Sequence, residues 1–213
     1  MTIPFPQTHV VAGFHFLPIS TPRFRRVSQL LVGLVLFGVS IAFTVEATLG
    51  ASPWTVFHEG FADKTGLSFG TGVSLIGVAL LGVLWMLHEP LGLGTVLNVA
   101  VIGPIADATL WAIPDLESLW IRVGLLAAAP VLLGFGSSLY LGAGVGPGPR
   151  DGIMTALNRR GVETWMARTA IELTALAIGF VLGGTAGLGT AWMAIAIGPC
   201  VQFFLRWFRI DDT

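Results

Sequence analysis

The chain has 213 residues, of which 54% are hydrophobic and only 11% charged, and its formal net charge is −1. Mean hydropathy is +0.82, whereas a soluble domain carries roughly a quarter charged residues; the composition excludes an ordinary soluble globule, and the net charge gives no basis for a nucleic-acid partner. Cys200 is the single cysteine, which excludes an intramolecular disulfide and a cysteine-built metal cage.

In chain order, residues 1–22 are interrupted by Pro4, Pro6, Pro18 and Pro22, and the basic cluster Arg23, Arg25 and Arg26 follows them. The next apolar run is long enough to span and carries no small-residue cleavage site, so it is predicted as a first membrane helix rather than a signal peptide. Residues 1–26 are expected to form a cytoplasmic tail with little structure, and His9 and His15 belong to it. Six apolar stretches approach the ~20 residues that a spanning helix needs: Val27–Thr44, Phe69–Leu87, Thr95–Ile113, Leu119–Leu139, Thr164–Leu182 and Thr190–Phe208.

With Arg23, Arg25 and Arg26 inside, Arg150, Arg159, Arg160, Arg168, Arg206 and Arg209 also fall inside, and only Lys64 and Arg122 fall outside. That is nine against two of the eleven basic residues, so both termini are expected in the cytoplasm. Trp85, Trp165 and Trp207 fall at inner ends, and Trp111, Trp120 and Trp192 at outer ends, as an aromatic belt requires.

The chain also repeats itself. Leu49-Gly50-Ala51-Ser52-Pro53-Trp54 is echoed by Val145-Gly146-Pro147-Gly148-Pro149-Arg150 at an offset of 96. Gly92-Leu93-Gly94-Thr95 returns as Gly187-Leu188-Gly189-Thr190, and Ile102-Gly103-Pro104 as Ile197-Gly198-Pro199, both at an offset of 95. Each copy, 27–118 and 119–213, holds three spans, so the second must enter from the opposite face. The expected fold is an all-α polytopic membrane protein built as two inverted-topology three-helix repeats, with sites near the join.

Between the first and second spans of each half lies a short amphipathic segment, 53–63 and 149–160. Each opens with proline, a good first helical residue, and reaches only roughly 17 Å. Each is either an interfacial helix lying flat or a re-entrant half-helix whose N-terminus points into a cavity.

Candidate binding residues cluster in the second copy. Gly148 and Pro149 begin a helix with free N–H groups at its positive end, and Arg150 adds a planar donor suited to a carboxylate. Asp151 answers the helix dipole. Glu172 lies about 12 Å into its span, with Arg168 one turn earlier on the same face. An acid at that depth is either half of a structural pair or a functional, proton-coupling group. Asn98 is placed to hydrogen-bond between helices, and Trp54 lies at the first-copy turn. Glu46 and Asp107 are expected at the interface. His58, Glu59 and Asp63 read as extracellular and unpatterned, with no metal-ligand spacing. Gly179-x-x-x-Gly183 reads as a close-packing patch.

The strings Gly146-Pro147-Gly148-Pro149-Arg150-Asp151-Gly152, Arg168-Thr169-Ala170-Ile171-Glu172-Leu173, Gly187-Leu188-Gly189-Thr190 and Ile197-Gly198-Pro199 resemble those of YczE/YyaS/YitT-type bacterial membrane proteins over about residues 30–205. The resemblance implies a multi-span plasma-membrane protein and no settled activity. In that family the first copy reads Pro-Trp-Asp, whereas this chain has Pro53-Trp54-Thr55, which shifts weight to Arg150 and Asp151.

No nucleophile–base–acid arrangement or nucleotide motif is present, so neither an enzyme nor a cofactor or metal site is expected. The expected function is a small-solute transporter or solute-binding membrane protein, with the lipid bilayer and a small anionic or zwitterionic solute as partners. The alternative is a non-transporting accessory protein paired with another membrane protein or with copies of itself. A channel is a third reading, thinly supported by one deep acid.

Overall fold

A computed structural model of the chain describes residues 9–11, 14–16, 22–114 and 116–210. Two three-residue strands, β1 (His9–Val11) and β2 (Phe14–Phe16), pair antiparallel with His9 opposite Phe16. Eight helices follow: α1 (Arg23–Ala47), α2 (Pro53–Thr65), α3 (Phe69–Met86), α4 (Leu93–Ala112), α5 (Leu119–Gly142), α6 (Pro149–Arg159), α7 (Thr164–Leu182) and α8 (Leu188–Phe208). All but α2 and α6 are long and apolar enough to cross a membrane, so the described residues carry the six spans expected.

The first helix begins earlier than expected. The basic cluster expected in the tail is helical, as the first turn of α1. Arg26 tolerates burial there because its guanidinium donates to the Ala143 carbonyl at 2.8 Å, beyond the end of α5. Gln29, one turn on, donates to the carbonyls of Leu139 and Phe208. Polar side chains thus satisfy carbonyls that the helix ends leave open.

Local chemistry sets the helix limits. Ser52 caps α2, with Pro53 as its first residue, and Gly66 ends it at φ +69°. Ser68 caps α3, and Asp107 of α4 holds the same turn, accepting from the Ser68 hydroxyl and the Gly70 N–H, each at 2.6 Å. Gly183 stops α7 at φ +101°.

Small residues let the long helices approach closely, the principal device where lipid removes any hydrophobic drive between helices. α1 and α5 form the central pair: a methyl group on Gly33 would stand 2.6 Å from the Gly136 carbonyl, and one on Gly136 2.8 Å from the Gly33 carbonyl. On either side, α4 packs on α1 at Gly38, and α8 packs on α5 where Gly134 meets Cys200. Cys200 is a packing residue at that seam. Gly179 lies against the backbone of Val56 and Phe57 in α2, while a methyl on Gly183 would meet nothing. The expected Gly179/Gly183 patch is therefore split: the first glycine packs α7 on α2, and the second terminates α7.

The repeated strings of the two halves touch each other. The Gly94 N–H donates to the Val145 carbonyl at 2.8 Å, and the Gly189 N–H donates to the Leu49 carbonyl at 2.9 Å. Thr95 accepts from the Gly92 N–H at 3.0 Å, and Thr190 from the Gly187 N–H at 3.1 Å. Each glycine-rich turn is thereby tied to the helix start of the opposite half. The halves differ at one seam. α3 packs closely on α4, with Gly70 against Gly103, whereas α7 and α8 make no comparable contact and Gly198 faces open space.

Candidate functional site

The two short helices put their N-termini on one cavity. Its wall includes Ser52, Pro53, Trp54 and Thr55 from the start of α2, and Gly148, Pro149, Arg150 and Asp151 from the start of α6. Around them stand Phe37 and Ile41 of α1, Val73, Gly77 and Leu80 of α3, Asn98, Val99 and Ile102 of α4, and Met193 of α8. These are interior positions of their helices. The cavity measures about 100 Å³.

The proline at the first position of each short helix leaves the next N–H groups pointing forward, at the positive end of the helix dipole. In α2 the Ser52 hydroxyl sits over that end, 2.8 Å from the Thr55 hydroxyl and accepting weakly from the Thr55 N–H at 3.4 Å. The start of α6 has only Gly148 there, and no side chain caps it. A side chain at Gly148 would crowd the Asn98 amide, 3.2 Å from the position of a methyl.

The charged groups meet at the α6 end. Asp151 accepts from the Tyr140 hydroxyl at 2.7 Å and lies 3.5 Å from the Arg150 guanidinium. Arg168 donates to Glu172 at 3.1 Å, one helical turn along α7. Burial works against the charge of Arg150, but Asp151, Tyr140 and Glu172 together hold its pKa above the ordinary value. Across the cavity, burial and then the Arg150 charge push His58 of α2 down to about 3, so its imidazole is neutral.

A second cavity, of about 370 Å³, lies beside the first among α5, α6, α7 and α8. Arg150, Asp151, Arg168, Glu172 and Tyr140 line both. The polar cluster therefore stands between the first cavity and the wider one next to the α7–α8 seam.

All eight residues singled out in the sequence, Trp54, Asn98, Gly148, Pro149, Arg150, Asp151, Arg168 and Glu172, line the first cavity. Sequence reasoning missed Tyr140 and His58. Tyr140 is the only tyrosine of the chain and lies four residues beyond Gly136, the contact glycine of α5, a placement that a helical projection could have flagged. His58, expected as extracellular and unpatterned, lies one turn beyond Trp54 and lines the cavity. Glu59 turns the other way and holds the α7–α8 loop, accepting from the Thr185 N–H at 2.7 Å and its hydroxyl at 2.8 Å. No cluster of three or more potential metal-binding side chains occurs among the described residues.

Six apolar spans packed around a cavity with a charged lining define a multi-pass integral membrane protein with an internal polar site. The chain belongs to the family of unknown function DUF6198, which matches residues 24–206. It is 37% identical over 187 residues to an uncharacterised protein of Haemophilus influenzae, covering 87% of this chain and 86% of the relative. To the uncharacterised membrane protein YczE of Bacillus subtilis it is 31% identical over 176 residues, 81% of this chain and 82% of the relative. To YyaS of the same organism it is 24% identical over 180 residues, 82% and 89% of the two chains. No solved structure matches the chain.

Proposed function

We propose that the protein is a small-solute transporter of the bacterial plasma membrane that binds a small anionic or zwitterionic solute in the cavity between α2 and α6 and performs no covalent chemistry. The observation that carries this reading is the convergence of two helix N-termini and four charged side chains on one internal cavity. Ionisable groups are costly at membrane depth and are retained there mainly for function.

In this reading the two halves are inverted repeats, both termini are cytoplasmic, and α2 and α6 are re-entrant half-helices. The exchanged bonds Gly94–Val145 and Gly189–Leu49 support it, since a two-fold axis between the halves would convert one into the other. The unequal seams support it too. A closed α3–α4 contact beside an open α7–α8 one is the asymmetry expected of one state in an alternating-access cycle. Arg150 holds the anionic group and the start of α6 assists it, while Glu172 positions Arg168 or carries a coupled proton.

The test is a thermal-shift screen in detergent against organic acids, amino acids, vitamins and amines, with Arg150→Ala and Arg150→Lys alongside. A solute at ~100 times its dissociation constant adds about 2.7 kcal/mol to the folded state. A shift that is lost in Arg150→Ala, followed by uptake of the same solute into liposomes, is the expected result. Binding that persists in both variants would remove Arg150 from the site.

A further inference from the structure

Most arginines of this chain are answered inside it. Arg26 and Arg122 donate to the carbonyls of Ala143 and Ala47. Arg150 pairs with Asp151, Arg159 and Arg160 with Glu89, and Arg168 with Glu172. Arg23 and Arg25, in the first turn of α1, and Arg206, in the last turn of α8, have no acidic partner among the described residues. All three are exposed. Their helix ends meet. Gln29, one turn beyond Arg25, donates to the Phe208 carbonyl of α8 at 2.7 Å, and the Ile210 N–H donates to the Gly142 carbonyl at the end of α5. Residues 1–45 contain no acid, and neither α5 nor α8 contains one. Even with Asp211 and Asp212 set against Arg23, Arg25, Arg26, Arg206 and Arg209, these helix ends keep a surplus of three positive charges. Arginines in a first turn also oppose the helix dipole, and α1 has neither a side-chain cap nor an acid there. The surroundings fit the edge of a bilayer. Phe24 and Trp207 are 88% and 68% exposed, as belt aromatics are. The Arg206 guanidinium lies over the rings of Phe203 and Trp207, at 4.4 and 5.5 Å. With 25 residues, α1 is about 37 Å long against a hydrocarbon core of ~30 Å, so its first turn stands at headgroup level.

We propose that the start of α1 and the end of α8 form a docking surface for anionic phospholipid headgroups, in which Arg23, Arg25 and Arg206 donate to phosphate oxygens and Phe24 and Trp207 sit between the headgroups. The guanidinium fork matches phosphate geometry, and each base near an anionic lipid surface strengthens the attraction roughly fivefold. A choline headgroup carries its own cation and leaves the surplus charge unanswered. The exposed rings of Phe203 and Trp207 on α8 favour lipid over an acidic partner protein. The surface stands whether or not the cavity binds a solute.

The experiment titrates the full-length protein in detergent with phosphatidylglycerol or phosphatidylcholine and reads the melting temperature. Wild type is compared with Arg206→Gln, with the triple variant Arg23→Gln, Arg25→Gln, Arg206→Gln, and with Lys64→Gln, which removes an exposed base at the end of α2. Wild type is expected to half-saturate with phosphatidylglycerol at a concentration roughly tenfold or more below that for phosphatidylcholine, and high salt narrows the difference. Arg206→Gln weakens phosphatidylglycerol roughly fivefold. The triple variant loses the preference while keeping the melting temperature of the lipid-free protein, since all three side chains are exposed. Lys64→Gln keeps the preference. Equal half-saturation with the two lipids in wild type overturns the proposal and leaves the patch to an acidic partner protein. A preference that survives in the triple variant, or that Lys64→Gln removes as fully, overturns the assignment to this end of α1 and α8.

Discussion

His58 shows how one side chain ties the cavity to the pH of the medium. It packs edge-on to Phe69 and 6.1 Å from the Trp54 ring, and burial followed by the Arg150 charge holds it down to about 3. The unfolded chain takes up a proton near pH 6.5 that the folded chain refuses. Stability therefore falls as the pH is lowered from about 6.5 towards 3. His58→Gln is expected to flatten the fall of the melting temperature between about pH 6.5 and 4; an unchanged slope would show that other groups set it. The same scale sets the two copies apart. Thr55 occupies the position of Asp151 in the other copy, at an offset of 96. It is buried against Ser52, its hydroxyl 2.8 Å from the Ser52 hydroxyl. The first copy thus supplies an aromatic ring and hydroxyls where the second supplies a cation and an acid.

Elements are held in place by their glycines more than by their spans. The turn before α6 passes through Gly146 at φ +108°, where a methyl would stand 2.5 Å from the Gly92 Cα. The matching turn before α2 passes through Gly50 at φ +106°, with a methyl 2.6 Å from the Gly187 nitrogen. Both turns need a left-handed backbone and a bare Cα at once. Gly146→Ala is expected to cost about 3 kcal/mol, from strain and overpacking together. Gly161→Ala, also left-handed at φ +92° but facing nothing, should cost about 1 kcal/mol from strain alone. Thermal unfolding of the two variants in the same detergent checks the difference. Equal losses would mean that the Gly146–Gly92 contact relaxes freely.

Across the whole molecule, the contrast between the α3–α4 and α7–α8 seams carries the functional consequence. Val99 and Ala194 are counterparts at an offset of 95, and both line the first cavity. Val99 is buried in the closed seam, whereas Ala194 is exposed. In a Cys200→Ala background, Ala194→Cys is expected to react with a water-soluble thiol reagent in liposomes, and Val99→Cys to be protected. If the seams exchange roles during transport, a saturating transported solute shifts the ratio towards Val99→Cys. A ratio fixed under all conditions would argue for a static binding protein. Glu89, between α3 and α4, ties that loop to the end of α6, accepting from Arg159 at 2.5 Å with Arg160 at 3.5 Å. Glu89→Gln is therefore expected to raise the reactivity of Val99→Cys several-fold, read by the same labelling.

The sequence by itself determined the six spans, the two proline-led short helices and the paired landmarks, because each is written in neighbouring residues: apolar runs of bilayer length, helix-starting prolines, and glycines at fixed offsets. It also pointed to Arg150, Asp151, Arg168 and Glu172, since charge in an apolar background is legible without coordinates. Only the tertiary structure decided that both helix starts open on the same cavity, that His58 and Tyr140 join it, and that Glu59 and Asp107 serve as anchors for neighbouring turns. It alone decided that Gly179 packs within the chain and that Gly103 is closed over while Gly198 is not. Those outcomes depend on how helices distant in sequence cross. Crossing is set by the fit of glycine-lined surfaces from both partners together, which no local pattern in either one encodes.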